Sequence, residues 1–110
     1  MLETTIKNIE NRIENNAAIP QKDRSELLQL LSSLERDIQE LSKTDREHAE
    51  SIAGFTQTSA HEATRREKDQ NLLNISLNGL SSSVAELETS HPKLVETVNR
   101  ISYILSNMGI

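Results

Sequence analysis

Three histidines are the side chains best able to do chemistry in this chain, and their spacing argues against it. His48, His61 and His91 are separated by 13 and 30 residues, whereas two imidazoles sharing a metal ion on one helix need the i, i+4 step. His61-Glu62-Ala63-Thr64-Arg65 opens like a zinc-protease motif, but Arg65 stands where the second ligand must be, which leaves no facial pair for Zn²⁺. A di-iron bundle needs two inward-facing Glu-x-x-His motifs and a Glu from each of two further helices. The motif occurs once, as Glu88-Thr89-Ser90-His91, and it straddles a break before Pro92. At the same spacing His48 has Asp45 and His61 has only Thr58. The chain has no cysteine, which removes thiolate ligands and disulfides as well. No metal and no cofactor is expected. The register of Leu80, Val84 and Leu87 continues through His91 into Leu94. His91 is therefore expected on the core side of the break, bonding across it as a helix-start residue rather than acting as a pH switch.

Other reactive types are equally unpromising. Glu10 with Glu14 and Glu86 with Glu88 fall on polar helix faces, where nothing separates their pKa values for acid and base work. Ser81, Ser82 and Ser83 lack the G-x-S-x-G elbow and the preceding strand that a nucleophile needs. Gly54, Gly79 and Gly109 are isolated, so no phosphate-cradling loop is present. Asn74-Ile75-Ser76 matches a glycosylation sequon by chance, inside a helix. Arg65-Arg66-Glu67-Lys68 is interrupted by acid and has no aromatic neighbour on which a base could stack. It reads as a solvated helix face. The chain is expected not to be an enzyme.

The elements are set by apolar spacing of four and three, the mark of one helix face. Leu2, Ile6, Ile9 and Ile13 make the first stripe; Leu27, Leu31, Leu34, Ile38 and Leu41 make the second, broadened by Leu28 and Leu30. Asn15, Asn16 and Pro20 separate the two, so one helix ends near residue 15 and the next begins near Pro20 or Gln21. Their short connection predicts an antiparallel hairpin over residues 1–42. Leu73, Leu77, Leu80, Val84 and Leu87 make a third stripe with Gly79 as a soft spot, since glycine inside a helix costs about 1 kcal/mol relative to alanine. Ser90 is the expected N-cap of a last helix with Pro92 in its first turn. That helix carries Leu94, Val98, Ile101, Leu105 and Met108, flanked by Val95 and Ile104, with Glu96 and Arg100 as an i, i+4 ion pair. Gly109 suits a left-handed stop, and Ile110 would then clasp Leu105.

Residues 43–69 differ. They hold five Lys/Arg against six Asp/Glu, and their only large apolar residues are Ile52 and Phe55. Thr44-Asp45-Arg46-Glu47 fits a capping box with Thr44 as the cap. Ala49, Ile52, Ala53, Thr56, Ala60 and Ala63 then form a narrow stripe of mostly small residues, weakened by Gly54. This reads as a weakly helical, polar and mobile segment, with Ile52 and Phe55 as candidate interaction residues.

Composition bounds what the chain can bind. It has 110 residues, 35% apolar and 2% aromatic, with a net charge of -5. A net acid repels phosphate backbones, so no nucleic-acid partner is expected. No segment approaches the roughly 18 consecutive apolar residues of a membrane span. The start, Met1-Leu2-Glu3-Thr4-Thr5, lacks the basic and apolar regions of a signal peptide. A cytoplasmic protein with no membrane partner is the expectation.

The segment Val84-Ala85-Glu86-Leu87-Glu88-Thr89-Ser90-His91-Pro92-Lys93-Leu94, and the ending Leu105-Ser106-Asn107-Met108-Gly109-Ile110, resemble a small bacterial family of unknown function. Its members are short helical proteins with an SHP segment and an NMGI-like end. Asp23-Arg24 ahead of Leu27-Leu28 is similar to the same family. The resemblance covers residues 1–42 and 70–110. It implies a bacterial helical protein, and it carries no site residues.

The sequence thus predicts an all-α fold in a single helical domain, 1–110. An N-terminal hairpin (1–42), a polar, mobile segment (43–69) and a C-terminal helix pair (70–110) would form antiparallel hairpins in a four-helix-type bundle. The expected function is a non-catalytic structural or protein-interaction role, with an unidentified protein partner. A homodimer would cover the strips beside the main seams, at Leu28, Leu30, Val95 and Ile104. Two other readings stay open: a regulatory module whose middle segment folds onto a partner, and an enzyme of unrecognised type.

Overall fold

Each stripe becomes a helix, and so does the segment between them. The computed structural model describes residues 2–108, ordered as α1 (Leu2–Glu14), α2 (Gln21–Ser42), α3 (Arg46–Thr64), α4 (Gln70–Val84), a 3₁₀ turn at Ala85–Leu87, and α5 (Pro92–Met108), with no strand among the described residues. The expected clasp at Gly109 and Ile110 lies outside the described residues. The radius of gyration is 12.9 Å and the extents are 37 × 24 × 22 Å. A compact chain of about 100 residues has a radius near 13 Å, so no helix is swung away from the rest.

The chain chemistry accounts for the helix ends. Pro20 precedes α2, its fixed φ of -54 leading the chain into the helix. The α1–α2 turn is held by Asn16, whose Oδ1 accepts from Ala18 N at 3.0 Å and whose carbonyl accepts from Arg24 Nη1 at 3.1 Å. Ile19, inside that turn, is buried and joins the core. Asp45 caps α3 by accepting from His48 N at 3.1 Å, displacing the expected Thr44, whose hydroxyl donates back to the Leu41 carbonyl. Asp69 caps α4 in the same way, through Leu72 N. α5 opens on Pro92 itself, so the cap position falls at His91 and not at Ser90. The Ser90 hydroxyl instead bonds the His91 Nδ1 at 3.0 Å, and His91 is only half-buried.

The main correction concerns the middle. The region expected to be weakly helical and mobile contains α3, a 19-residue helix burying Ala49, Ile52, Ala53, Thr56, Ser59, Ala60, Glu62 and Ala63. It packs against α1, α2, α4 and α5 alike, and no other helix touches all the rest. The four-helix-type bundle is therefore replaced by five packed helices with the polar segment inside. The physical reason is size: helix–helix distance depends on the side chains at the contact, and alanine, serine and threonine leave room for several neighbours around α3. A stripe of small residues reads as weakly apolar in sequence and is sterically right for a centre. Thr56 bonds the Ile52 carbonyl at 2.7 Å, so its hydroxyl is satisfied inside the helix.

α2 and α5 also meet directly. Val95 and Ile104 are buried, and Leu28 and Leu30 pack partly buried against the core. The strips expected to need a second copy are thus covered within the chain at Val95 and Ile104, and in part at Leu28 and Leu30. Arg100 turns away from Glu96 and makes a two-pronged bond to Glu26 of α2, Nε to Oε2 at 2.7 Å and Nη2 to Oε1 at 3.1 Å. Its guanidinium lies 5.3 Å from the Tyr103 ring centre.

Candidate functional site

The large apolar side chains left in solvent define a surface. Phe55, Leu72, Ile75 and Tyr103 are 41%, 42%, 58% and 58% exposed. Tyr103 is covered on one side by Arg100. The other three adjoin. Leu72, Ile75 and Gly79 fall at i, i+3 and i+7 of α4, which is one face. Gly79 is where Phe55 sits: a Cβ built there would lie 2.4 Å from a Phe55 ring carbon. The soft spot expected at Gly79 is therefore a seat for the aromatic ring, which places Phe55 of α3 at the end of the α4 face that carries Leu72 and Ile75.

This surface is also free of charge. Residues 70–85 carry no Asp, Glu, Lys or Arg, and neither do residues 51–60, in a chain that is 26% charged. Ser51, Thr58, Asn74, Asn78, Ser81 and Ser82 complete the exposed surface of the two helices there. By contrast α2 turns Lys22, Glu35, Arg36 and Glu40 towards solvent or its margin.

Of the two candidate interaction residues, Phe55 lies on this surface and Ile52 does not. Ile52 is completely buried, because a large aliphatic group at that position of α3 points into the helix packing. Leu72 and Ile75 were missed because Leu72 falls beside the third stripe and Ile75 off it. Two signals could have found them: the long uncharged run around them, and a mid-helix glycine in a chain with one phenylalanine.

The histidines are scattered over three different places. His48 is half-buried and joins α3 to α4: its Nε2 bonds the Ser83 carbonyl. A carbonyl can only accept, so Nε2 carries the proton. Ser83 lies in the last turn of α4, where carbonyls lack helical partners, so the imidazole closes that end. His91 marks the start of α5. His61, exposed, lines a groove of 380 Å³ between α1 and α3 with Asn8, Ile9, Arg12, Gln57, Thr58 and Ala60. Arg12 and His61 stand in the last turns of α1 and α3, at the negative ends of the helix dipoles. That location stabilises the Arg12 cation and disfavours an incoming anion. Arg12 is also tied to Thr64, Nε donating to Oγ1 at 2.6 Å. Among the described residues no three His, Asp or Glu side chains converge as metal ligands.

Glu62 is the one carboxylate of α3 drawn inward, at 9% exposure. It is met by Arg65 Nη1 at 2.7 Å, and that hydrogen bond raises the Arg65 pKa further. The pair joins the last turn of α3 to the residue that ends it. The exposed His61 imidazole stands on the other side of Glu62, its Nε2 at 4.0 Å from Glu62 Oε2.

No helix among the described residues is long and apolar enough to cross a membrane. No curated protein and no solved structure matches the chain. One protein-family model does, over residues 27–110. The matched range includes residues 43–69, which the motif resemblance left out, and it begins inside α2. The match covers well over half of the chain, which therefore belongs to the family described as Domain of unknown function (DUF4404).

Proposed function

We propose that this protein is a non-catalytic interaction domain whose working surface is the outer side of α3 and α4. The observation that carries the reading is the coincidence of exposed Phe55, Leu72 and Ile75 with two uncharged stretches of sequence. Single exposed apolar residues are ordinary on any protein. A contiguous set without charge is not, because the cores of protein–protein interfaces are depleted of charged side chains and enriched in aromatics.

The alternative in which residues 43–69 fold onto a partner has less behind it. Ile52 would have to leave a site where it has no exposed surface, and α3 would have to leave four neighbours. An enzymatic role is also less supported: of the polar side chains gathered in the α1–α3 groove, the Thr58 hydroxyl donates to the Gly54 carbonyl rather than to His61.

A photoreactive aromatic residue in place of Ile75, compared in living cells with one in place of exposed Arg36, tests the proposal. Discrete protein adducts from position 75 and none from position 36 are expected. Equal labelling from both, or none from 75, would overturn it.

A further inference from the structure

We propose that the partner on this surface is a second copy of the chain, with α4 packed antiparallel on α4 about a two-fold axis near residue 77. This rests on the interaction reading above and names the occupant of the same surface.

Charge selects the occupant. Each chain carries -5, so two copies repel wherever charged faces meet. A partner recognised through charge would be matched by Lys, Arg, Asp or Glu on this surface, and residues 70–85 have none. An uncharged face is the one on which an acidic chain approaches itself at least cost.

Shape makes the face self-complementary. Along its exposed line α4 runs from large to small: Leu72, Ile75, Gly79, Ser82. Turned end for end about residue 77, residue 72 falls opposite residue 82 and residue 75 opposite residue 79. Leu72 then meets the small Ser82, while Ile75 falls over Gly79, whose side-chain space the Phe55 ring fills. The half-exposed Phe55 ring already lies at Gly79, so it supplies an aromatic floor under the incoming Ile75. Such pairing is isologous and closes at two copies. α4 has 15 residues, a length of about 22 Å at 1.5 Å per residue. A contact confined to one short helix and the adjoining part of α3 is small, so weak dimerisation, about micromolar, is the expectation.

Sedimentation equilibrium of the full chain over a wide micromolar range is the test, with thermal melts confirming that each variant stays folded. The wild type is expected to pass from monomer to dimer. Ile75→Asp should weaken dimerisation about tenfold or more at an unchanged melting temperature in dilute solution, because Ile75 is mostly in solvent. Leu72→Lys should weaken it as well. Adding Ser82→Asp to Leu72→Lys should restore it in a salt-sensitive way, each new cation facing the other copy's new carboxylate. Within one chain those positions are about 15 Å apart along the helix, so the rescue cannot be internal. A wild type that stays monomeric, a dimer indifferent to Ile75→Asp, or a double variant that is not rescued would overturn the proposal. If position 75 crosslinks a different protein while the chain stays monomeric, the interaction reading survives and the dimer does not.

Discussion

α2 and α3 are both long helices, 22 and 19 residues, yet they are built from different material. α2 buries Leu27, Leu31, Leu34, Ile38 and Leu41 along one side and keeps a charged outer side. α3 buries mainly Ala, Ser and Thr with Ile52, and its uncharged outer stretch continues onto α4. Bulky side chains drive a helix against what lies on one side of it. Small ones give less burial per residue but let neighbours close in from several sides. The helix with the bulkiest buried face need not be the centre of a bundle.

The two helices should therefore fail in opposite directions. In α2 the sensitive change is to shrink a side chain. Leu34 has no exposed surface, and Leu34→Ala should cost about 3–4 kcal/mol through lost burial and a cavity. In α3 it is to enlarge one. Ala49 is also fully buried, and Ala49→Leu should cost about 2–3 kcal/mol by overpacking. Urea denaturation of both variants gives the comparison. An Ala49→Leu protein as stable as the wild type would mean that α3 has room and is not the packed centre.

This contrast also explains what could be read in the sequence. The stripes of α1, α2, α4 and α5 were legible because Leu, Ile and Val repeat at helical spacing, and Pro20 and Pro92 mark helix starts that the structure keeps. α3 was misjudged because propensity and apolar content describe a helix on its own, while Ala49, Ala53, Ala60 and Ala63 owe their burial to four other helices. The bond from His48 to Ser83 and that from Arg100 to Glu26 were out of reach for a related reason. Both join residues far apart in sequence, and nothing local distinguishes them from surface side chains. Of the site, Phe55 was legible as an unusual aromatic. Its seat on Gly79 was not, since a mid-helix glycine has no partner until the neighbouring helix is placed.

His48 sharpens the contrast on a smaller scale. It closes the end of α4 from α3, so His48→Ala should cost about 1–2 kcal/mol by leaving the Ser83 carbonyl without its partner. His61→Ala, on the exposed groove, should fall within about 0.5 kcal/mol. Thermal or urea unfolding of the two variants checks the difference. Equal effects would mean that the α3–α4 contact does not depend on the imidazole.

The α2–α5 contact shows a gentler dependence, through pH. The Arg100 hydrogen bond holds the Glu26 carboxyl below its ordinary value. A carboxylate with a depressed folded-state pKa stabilises the fold above its unfolded pKa, about 4.3, and that contribution disappears as pH falls through the folded-state value. Glu26→Gln should therefore lower the melting temperature slightly at pH 7, and the gap should close in acid. A gap that stays constant or widens as the pH falls would show that the ion pair is not its source.

Amide exchange read by mass spectrometry at two protein concentrations bears on the centre and the surface together. Backbone amides across residues 49–63 should exchange as slowly as those across 27–41 at either concentration, since opening a central helix disrupts the whole core. Raising the concentration should slow residues 72–82 further and leave α1 and α2 unchanged. Fast exchange in α3 relative to α2, or a concentration effect confined to α2, would contradict the account.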